Sequence, residues 1–477
     1  MQTAGAEPQL VAPDAATLAG LREALVRSAY GEQSIAAALG PRPPFARTRR
    51  DVYLRRLRET GPLGALVRMF RLGESVDEAE AAAVLAPAGL DALVEAGLLE
   101  ARGDHVAANV EISSYSGLLL AHDRVAESAG PESWHVLFGS ASKTLAALTI
   151  RQSARSALDL GTGCGVQALL ASRHTERVVA TDVHERALTY ARINAALNEI
   201  TNVELREGDL FGPVTGERFD LIVSNPPFVV SPDSELVFRD SHLPGHEISR
   251  VVVAEAQEQL EDLGCATILC SWISPKDAHW STPLREWVVA GSDALLLQFT
   301  SVTPLEYAGT WTDEIDRWLD YYRQEGIEQI STGAAILRRR GSGGKVVAYQ
   351  ANSAPREHVG DQFLRILDAQ DADDPALLAG RFRLVDHELR QQAAYRAGAY
   401  AVGLTGVEIP GSPLNVRVEP DAIHVLPRLD GTATLSEAID RAASETGLDR
   451  DRIERAALTT TRRLYERGFL VSPRSRP

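Results

Sequence analysis

One short segment constrains the fold of this chain more than any other: the glycine-rich sequence from Asp159 to Gly165. It follows an apolar run that predicts a β-strand, and an apolar helical pattern begins near Gly165. Gly161 and Gly163 permit backbone conformations that other residues resist, so a ligand can approach the chain closely. The free N–H groups at the start of the helix then face that ligand. A glycine triplet alone does not identify the ligand, because dinucleotide-binding proteins share the pattern.

The residues around this turn alternate between strand-like and helix-like patterns. Short apolar strands separated by helices predict an α/β fold, in which a parallel sheet has helices on both faces. Helices are predicted over His184–Leu197 and Ile248–Leu263, a helical insertion over Glu306–Glu325, and a β-hairpin around Gly341–Gly344. The strands of the sheet are predicted at Ala157–Leu160, Arg177–Asp182, Val203–Glu207, Phe219–Ser224, Ala266–Cys270 and Ala294–Phe299.

Acidic residues stand at the ends of the next two predicted strands. Asp182 ends the second strand, and its carboxylate can accept hydrogen bonds from two ribose hydroxyls. The alternative role of Asp182 is to cap the helix that begins near His184. Asp209 follows the third strand, where it can accept from the amine of adenine, while Leu210 and Phe211 offer apolar contact to the ring. Three acidic residues at three successive strand ends match the amino-acid, ribose and adenine parts of one nucleoside ligand.

The fourth predicted strand ends in the sequence SNPPF, from Ser224 to Phe228. Pro226 and Pro227 stiffen this loop and remove two backbone donors. The side-chain carbonyl of Asn225 and the backbone carbonyl of Pro226 can then both accept from one planar –NH2 group, and Phe228 can stack on it. We interpret these four residues, Asn225 to Phe228, as the catalytic loop that selects an amide, amine or amidine nitrogen. The alternative is a rigid turn without a chemical role.

Together these motifs resemble those of class I S-adenosylmethionine-dependent methyltransferases with an NPPF-type loop. With the sequence ARINAALN at Ala191–Asn198, their order is most similar to HemK-type glutamine N5-methyltransferases and to small-domain ribosomal RNA guanine methyltransferases. The resemblance covers about Ser140 to Phe299. HemK-type enzymes carry a helical N-terminal domain that docks release factors. This chain departs from that pattern in its N-terminal region, and it has Phe228 where glutamine methylation more often shows Tyr.

The resemblance implies a Rossmann-like, seven-stranded domain that binds S-adenosylmethionine and transfers its methyl group to nitrogen. Asp159 is implied to orient the amino-acid end of the cofactor. No metal is expected, because a sulfonium is already a good leaving group. The cofactor-binding residues predicted in this way are Asp159, Gly161, Thr162, Gly163, Cys164, Gly165, Asp182, Val183, Asp209, Leu210 and Asn225.

The chain has 477 residues, too many for one ordinary domain. Residues 1–139 are predicted to form a helical, winged-helix-like domain, since a helix that stops at Gly97 precedes a hairpin around Gly103-Asp104. Residues 140–350 are predicted to form the Rossmann-like domain. Residues 351–477 are predicted to form an α+β domain, for which a second winged-helix-like unit is one interpretation.

Charge and cysteine content limit the function classes. The formal net charge is −16, which argues against strong non-specific binding to nucleic acid. The sequence contains neither an apolar stretch long enough for a membrane span nor a secretion signal at its start. Its three cysteines match no zinc pattern, and their odd number disfavours a disulfide framework. A cytoplasmic protein without membrane partners is therefore expected.

Three functional classes remain open on the sequence. The first is N-methylation of a protein or RNA, the second is N-methylation of a small metabolite, and the third is a non-enzymatic scaffold. The intact cofactor and NPPF motifs disfavour the scaffold. Further substrate contacts are predicted in the loop after the site, and Lys143 and Thr144 are predicted to cover the cofactor. The loop residues concerned are Glu235, Arg239, Asp240 and His242.

Overall fold

The chain divides into two compact units. The first comprises Met1–Ser142 and Ser153–Pro244, and the second comprises Lys143–Gln152 and Gly245–Pro477. The three domain ranges predicted from the sequence stay a prediction. Among the described residues, no helix combines the length and apolar character that a membrane crossing requires. The computed structural model describes residues 10–42, 46–124, 135–232, 246–351, 353–355, 357–369, 372–396 and 399–472.

The described helices fall into two groups along the chain. Those before residue 200 are α1 (Ala15–Arg27), α2 (Glu32–Leu39), α3 (Ala46–Leu57), α4 (Gly61–Phe70), α5 (Glu78–Leu85), α6 (Leu90–Glu95), α7 (Ser140–Leu148), α8 (Val166–Ala171) and α9 (Glu185–Leu197). Those after residue 240 are α10 (Glu247–Glu258), α11 (Thr282–Trp287), α12 (Pro304–Trp311), α13 (Ile315–Gln324), α14 (Gly360–Asp368), α15 (Asp374–Ala379), α16 (Leu435–Thr446) and α17 (Arg450–Glu466).

The strands are grouped in the same way. The first unit contains β1 (Val76–Asp77), β2 (Leu99–Arg102), β3 (His105–Ala108), β4 (Val110–Tyr115), β5 (Leu118–Asp123), β6 (Ala154–Leu160), β7 (Thr175–Asp182), β8 (Val203–Glu207) and β9 (Phe219–Ser224). The second unit contains β10 (Leu260–Ile273), β11 (Ser292–Val302), β12 (Ile330–Arg339), β13 (Val346–Gln350), β14 (Arg381–Leu384), β15 (Glu388–Arg396), β16 (Ala399–Glu408), β17 (Asn415–Val416), β18 (Asp430–Thr434) and β19 (Leu470–Val471).

Four parallel strands of the first unit form the framework of its α/β part. They lie in the order β8-β7-β6-β9, and each hydrogen-bonded pair among them is parallel. The middle strands are apolar because both of their faces are covered, and Ala157 and Leu158 of β6 are fully buried. The four strands predicted from the sequence at these places are all present, and β8 and β9 have the predicted bounds. Parallel strands joined by α8 and α9 give the α/β architecture that the alternating pattern predicts.

The N-terminal part of the first unit combines helices with two small antiparallel sheets. The order α4-β1-α5-α6-β2-β3 gives a three-stranded sheet in which β3 lies between β1 and β2. The side chain of Asp77 begins α5 by accepting from the N–H groups of Ala79 and Glu80. The hairpin predicted around Gly103-Asp104 is the connection between β2 and β3. The strands β4 and β5 form a second hairpin.

A buried ion pair connects the β4–β5 hairpin to α9 within the first unit. Asp123, the last residue of β5, is 4% exposed and accepts two hydrogen bonds from the Arg186 guanidinium, at 3.1 and 2.5 Å. The Tyr190 hydroxyl donates to the same carboxylate at 2.6 Å, and the backbone N–H of Val136 donates to it at 2.8 Å. A carboxylate that has lost its water depends on donors of this kind. The pair therefore fixes the hairpin to the helix.

The second unit contains a mixed sheet in which two sequence predictions fail. The strands lie in the order β10-β12-β11-β13, with β11 antiparallel to β12 and parallel to β13. The hairpin predicted around Gly341–Gly344 is therefore wrong, because β11 separates the two strands. The N–H of Arg340 bonds to the Gly291 carbonyl and that of Lys345 bonds to the Asp293 carboxylate, so the loop crosses the start of β11. Glycines are typical both of a hairpin turn and of a loop that crosses a third strand, so the sequence does not distinguish these two connections. The described strands β6–β9 of the first unit and β10–β13 of the second number eight. The resemblance implied seven, and β13 is the additional strand.

The predicted helix Ile248–Leu263 is also too long. The helix α10 ends at Glu258, and β10 begins at Leu260. Leu263 fits the helical spacing, but it is half-exposed and has a positive φ of 65°. The end of α10 is fixed by Gln257, whose side-chain amide donates to the Trp287 carbonyl and accepts from the Val289 N–H. The predicted helical insertion Glu306–Glu325 is present as α12 and α13.

The C-terminal part of the second unit has a hydrophobic core of its own. The sheet order is β18-β14-β19, and α15, α16 and α17 supply much of the core. Thr434 and Glu437 form a capping box that begins α16, and Gly447 ends that helix in the left-handed conformation. The strands β15 and β16 pair as a long antiparallel hairpin. This part is α+β, as the sequence predicts.

The Asp123–Arg186 pair predicts a large difference between two arginines of α9. Arg186→Leu leaves the buried Asp123 carboxylate without its cation, so we expect the free energy of unfolding to fall by about 3 kcal/mol. Arg192→Leu on the same helix removes a pair with Glu185 whose side chains are half-exposed, and it should cost less than about 1 kcal/mol. Urea unfolding followed by circular dichroism measures both. Equal losses in the two variants would show that the buried pair does not stabilise the hairpin.

Candidate cofactor and substrate site

The predicted site residues of the first unit meet at one edge of its parallel sheet. In the strand registers, Leu160 lies opposite Thr181 on one side and Ser224 on the other, and Asp182 lies opposite Glu207. The hydroxyl of Ser224 also donates to the Leu160 carbonyl at 2.9 Å. All four strands therefore end at the same level, and the loops that follow them share the edge where ligands bind in sheets of this type.

One backbone carbonyl accepts hydrogen bonds from two consecutive residues of the glycine loop. The N–H groups of Gly161 and Thr162 both donate to the Thr181 carbonyl, at 3.0 and 2.8 Å. Gly161 and Gly163 have φ values of +73° and +54°, and a Cβ at either position would meet no atom within 4 Å. The loop therefore presents open space on its outer side, next to the start of α8. This geometry fits a ligand that approaches the backbone closely.

Asp159 is a buried residue whose carboxylate accepts hydrogen bonds from the glycine loop and from α8. It is 1% exposed, and its Oδ2 accepts from the Thr162 hydroxyl at 2.6 Å and from the Ala168 N–H at 2.9 Å. The second bond satisfies one of the free donors in the first turn of α8. Burial raises the pKa of the Asp159 carboxyl to about 6, and the two hydrogen bonds oppose that shift. The sequence did not predict this structural role, which exists beside the predicted contact with the cofactor.

Asp182 contacts the glycine loop as well. Its Oδ2 accepts from the Gly163 N–H at 2.9 Å, and its Oδ1 accepts from the His184 N–H at 3.1 Å. Each carboxylate oxygen can accept more than one hydrogen bond, so both can still accept from a pair of ribose hydroxyls. Burial raises the pKa of Asp182. His184 is the residue that caps α9, so the alternative interpretation of Asp182 as the helix cap is wrong.

The third strand is followed by an open turn. Asp209 is exposed, and Leu210 has a positive φ of 44°. Phe211, by contrast, is buried at 5% exposure and belongs to the core. Val183, after Asp182, is 44% exposed although it is apolar. Val183 and Leu210 are therefore more accessible to an adenine ring than Phe211 is.

The NPPF loop contains the most informative atom of the site. The Asn225 side-chain oxygen Oδ1 is buried and has no hydrogen-bond partner among the residues that the structure describes. A buried acceptor without a donor is costly, and such atoms are a small minority of the buried polar atoms in folded proteins. Pro226 is buried, while Pro227 and Phe228 are partly exposed. The loop therefore presents an unused acceptor beside an accessible aromatic ring.

Two asparagines, one in α9 and one directly after its last residue, were quoted in the sequence motif but were not predicted to have a role. Asn194 is fully buried, and its amide donates to the Cys164 carbonyl of the glycine loop at 2.8 Å. Asn198 lies one helical turn later and contacts the hairpin strand β5. Asparagine twice at a spacing of four, on the helix after the second strand, was the available signal. Cys164 is buried as well, and burial raises the pKa of its thiol to about 12.

The remaining predicted contacts concern residues outside the described part of the first unit. Lys143 and Thr144 are on α7 and belong to the second unit. The loop residues Glu235, Arg239, Asp240 and His242 fall outside the described residues. Within the described ranges, no group of three or more His, Cys, Asp or Glu side chains is arranged to hold a metal ion.

Comparison with known families agrees with this geometry. Residues 135–270 match the family model "Methyltransferase small domain". This central segment is similar to methyltransferase small domains. The match confirms the predicted resemblance to class I S-adenosylmethionine-dependent methyltransferases, their α/β fold and the cofactor that it implies. Residues 27–109 match a domain of unknown function, DUF7059.

Individual relatives match over shorter stretches. A release factor glutamine methyltransferase of Aliivibrio fischeri is 42% identical over 87 residues, which are 18% of this chain and 31% of the relative. A ribosomal protein L11 methyltransferase of Lactobacillus acidophilus is 41% identical over 71 residues, 15% of this chain and 22% of the relative. A methyltransferase structure from Pyrococcus furiosus is 19% identical with a TM-score of 0.30, over 47% of this chain and 90% of that one. The chain spans about a third of the length of the first curated relatives that it matches.

The raised pKa of Asp159 predicts a pH dependence of stability. A folded-state pKa of about 6 against 3.8 in the unfolded chain means that the folded state binds this proton more tightly. The resulting stabilisation is complete below pH 3.8 and is lost as the pH rises through about 6. Asp159→Asn does not titrate at this position and can still accept from Thr162 and Ala168. Its stability relative to the parent should therefore rise by about 2.4 kcal/mol between pH 4 and pH 7.

Urea titrations at several pH values measure this difference. The matched control is Asp209→Asn, which removes the charge of an exposed carboxylate of the same site. Parallel stability profiles for Asp159→Asn and the parent would contradict the assignment.

Proposed function

We propose that this chain is an S-adenosylmethionine-dependent N-methyltransferase that acts on a planar amide or amino nitrogen. The observation that carries the proposal is the buried Asn225 Oδ1, an acceptor without a described donor. It follows a strand end in line with the glycine loop and Asp182. A substrate –NH2 group would supply the missing donor. The match of residues 135–270 to the methyltransferase small domain supports the same reaction class.

The cofactor would be held part by part along the sheet edge. The glycine loop, with Asp159 beneath it, would face the amino-acid end. The two oxygens of Asp182 would accept from the ribose hydroxyls, and Val183, Asp209 and Leu210 would contact the adenine. The open outer side of Gly161 and Gly163 supports this fit, since no protein atom lies where a side chain would extend.

The chain's own contribution to the reaction would be alignment of the nitrogen. When bound, the cofactor supplies an electrophilic methyl group on a sulfonium. Asn225 Oδ1 and the Pro226 carbonyl would accept the two N–H groups of the substrate and direct the nitrogen lone pair toward that methyl. Phe228 would stack on the planar group and exclude water from one of its faces. Positioning of this kind supplies much of the rate increase in a two-substrate reaction.

A protein is the preferred substrate class. The relatives reported above are named for methylation of release factors and of ribosomal protein L11, which are proteins. RNA is less favoured, because the net charge is −16 and α6 carries Asp91 and Glu95 but no basic residue. A small cationic metabolite remains the second candidate, since the same negative charge would attract it.

The flanking domains and the cellular location are part of the proposal. The element order α4-β1-α5-α6-β2-β3 with β3 in the centre of its sheet supports a winged-helix-like N-terminal domain. In the C-terminal part, β18, α16, α17 and β19 supply a similar combination of strands and helices. We propose that these domains serve substrate docking rather than nucleic-acid binding, in a cytoplasmic enzyme.

Removing the Asp182 carboxylate should weaken cofactor binding. Asp182→Ala loses the acceptor for the ribose hydroxyls, so the binding free energy should weaken by about 1.5–3 kcal/mol. The matched control is Asp220→Ala on β9, because Asp220 also accepts two backbone N–H groups, from Arg155 and Ser156, but lies near the start of its strand. Calorimetry with S-adenosylmethionine and S-adenosylhomocysteine measures both variants. Equal affinities in the Asp182 variant and the parent would exclude the ribose contact, and preference for NAD would exclude the family.

Removing the Asn225 amide should affect turnover rather than cofactor affinity. Asn225→Ala should lower kcat by about 100-fold or more, because the lost contact aligns the nucleophile during transfer. Asn225→Asp should be milder, since a carboxylate still accepts from –NH2. Phe228→Ala should raise the KM for the substrate more than it lowers kcat.

The experiment needs a substrate, which labelled methyl transfer into fractionated protein, RNA and metabolite pools would identify. Mass spectrometry then locates the new methyl group. A methyl on oxygen or carbon would refute the proposed role of the NPPF loop.

A further inference from the structure

The helix α9 places two asparagine amides along the edge of β5, within the first unit. Asn194 Oδ1 accepts from the Ala121 N–H at 2.7 Å, and its Nδ2 donates to the Ala121 carbonyl at 2.8 Å. Asn198 repeats the arrangement with Leu119, at 2.9 and 2.7 Å. Each amide thus pairs with one residue of the strand as a neighbouring strand would. The four-residue spacing on the helix matches the two-residue spacing on the strand edge.

Only one of the two amides also contacts the glycine loop, which we call the cofactor loop because it would bind the cofactor in the proposed function. The Nδ2 of Asn194 donates a second hydrogen bond, to the Cys164 carbonyl at 2.8 Å. The second bond from the Nδ2 of Asn198 goes instead to the Asn194 carbonyl, within α9. One turn before Asn194, Ala191 packs so closely on the loop that a Cβ on Gly165 would lie 3.1 Å from it. The contact of α9 with the loop is therefore both polar and steric.

We propose that Asn194 is a positioning residue for the cofactor loop, through which the β4–β5 hairpin sets the loop's conformation. This inference rests on the proposed function. All three polar groups around the Asn194 amide fit one orientation, since reversing it would place Nδ2 against an N–H and Oδ1 against two carbonyls. The amide is fully buried, so its removal leaves three buried polar groups without their protein partner. Cys164 directly follows Gly163, one of the two glycines whose open side would face the cofactor.

The pair Asn194→Ala and Asn198→Ala separates positioning from stability. Both variants lose the paired contact with β5, so both should lower the thermal unfolding midpoint. Only Asn194→Ala releases the Cys164 carbonyl. We therefore expect its dissociation constant for S-adenosylmethionine to rise about tenfold, against less than about threefold for Asn198→Ala. Equal changes in affinity would overturn the inference. An absence of binding by the parent chain would instead refute the proposed function, and the inference with it.

A measurement on the unmodified chain covers the case in which Asn194→Ala does not fold. The Ala121 N–H donates to Asn194, and the Leu119 N–H donates to Asn198, so these two amides report on the two contacts separately. Saturation with S-adenosylhomocysteine should slow hydrogen exchange of the Ala121 amide by about threefold or more, with a smaller effect at Leu119. Equal protection of both amides, or none, would show that the cofactor loop and the hairpin are not coupled through Asn194.

Discussion

The Thr181 carbonyl accepts hydrogen bonds from both Gly161 and Thr162, and this shared acceptor determines where the glycine loop leaves the sheet. The loop can turn there because β6 and β7 end level with each other, in a register that places Leu160 opposite Thr181. From that point the other site contacts follow. Asp182, the next residue of β7, reaches Gly163, and Asp159 reaches Thr162 and the first turn of α8. A shift of one residue in this register would separate Thr181 and Asp182 from their partners in the glycine loop.

The parts of the site that the sequence predicts are those carried by local patterns. A strand that ends in an acidic residue followed by glycines can be recognised without its neighbours, and so can SNPPF. The roles that need neighbours were not predicted. Asp159 was predicted to contact a ligand, but its hydrogen bonds to Thr162 and Ala168 were not predicted. The partners of Asn194 lie 30 and 73 residues away in sequence, beyond any periodicity.

Two predictions about individual elements of the fold failed because they too depended on residues distant in the sequence. The glycine turn at Gly341–Gly344 was interpreted as a hairpin, because local sequence does not show whether a third strand lies between two others. Leu263 extended the helical spacing past the true end of α10, although its side chain is half-exposed. The last turn of the helix contacts a residue thirty positions later, since Gln257 donates to the Trp287 carbonyl. Element types were predicted well, whereas pairings between elements required the structure.

Cys164 lies in the loop that would bind a methyl donor, which is an alkylating agent. A thiolate there would compete with the substrate nitrogen as a nucleophile, since the deprotonated form of cysteine is the reactive one. Burial raises the pKa of this thiol, so the weakly nucleophilic protonated form predominates at neutral pH. Its side chain is also 2% exposed. Burial would thus disfavour methylation of Cys164 by a methyl donor bound at this loop.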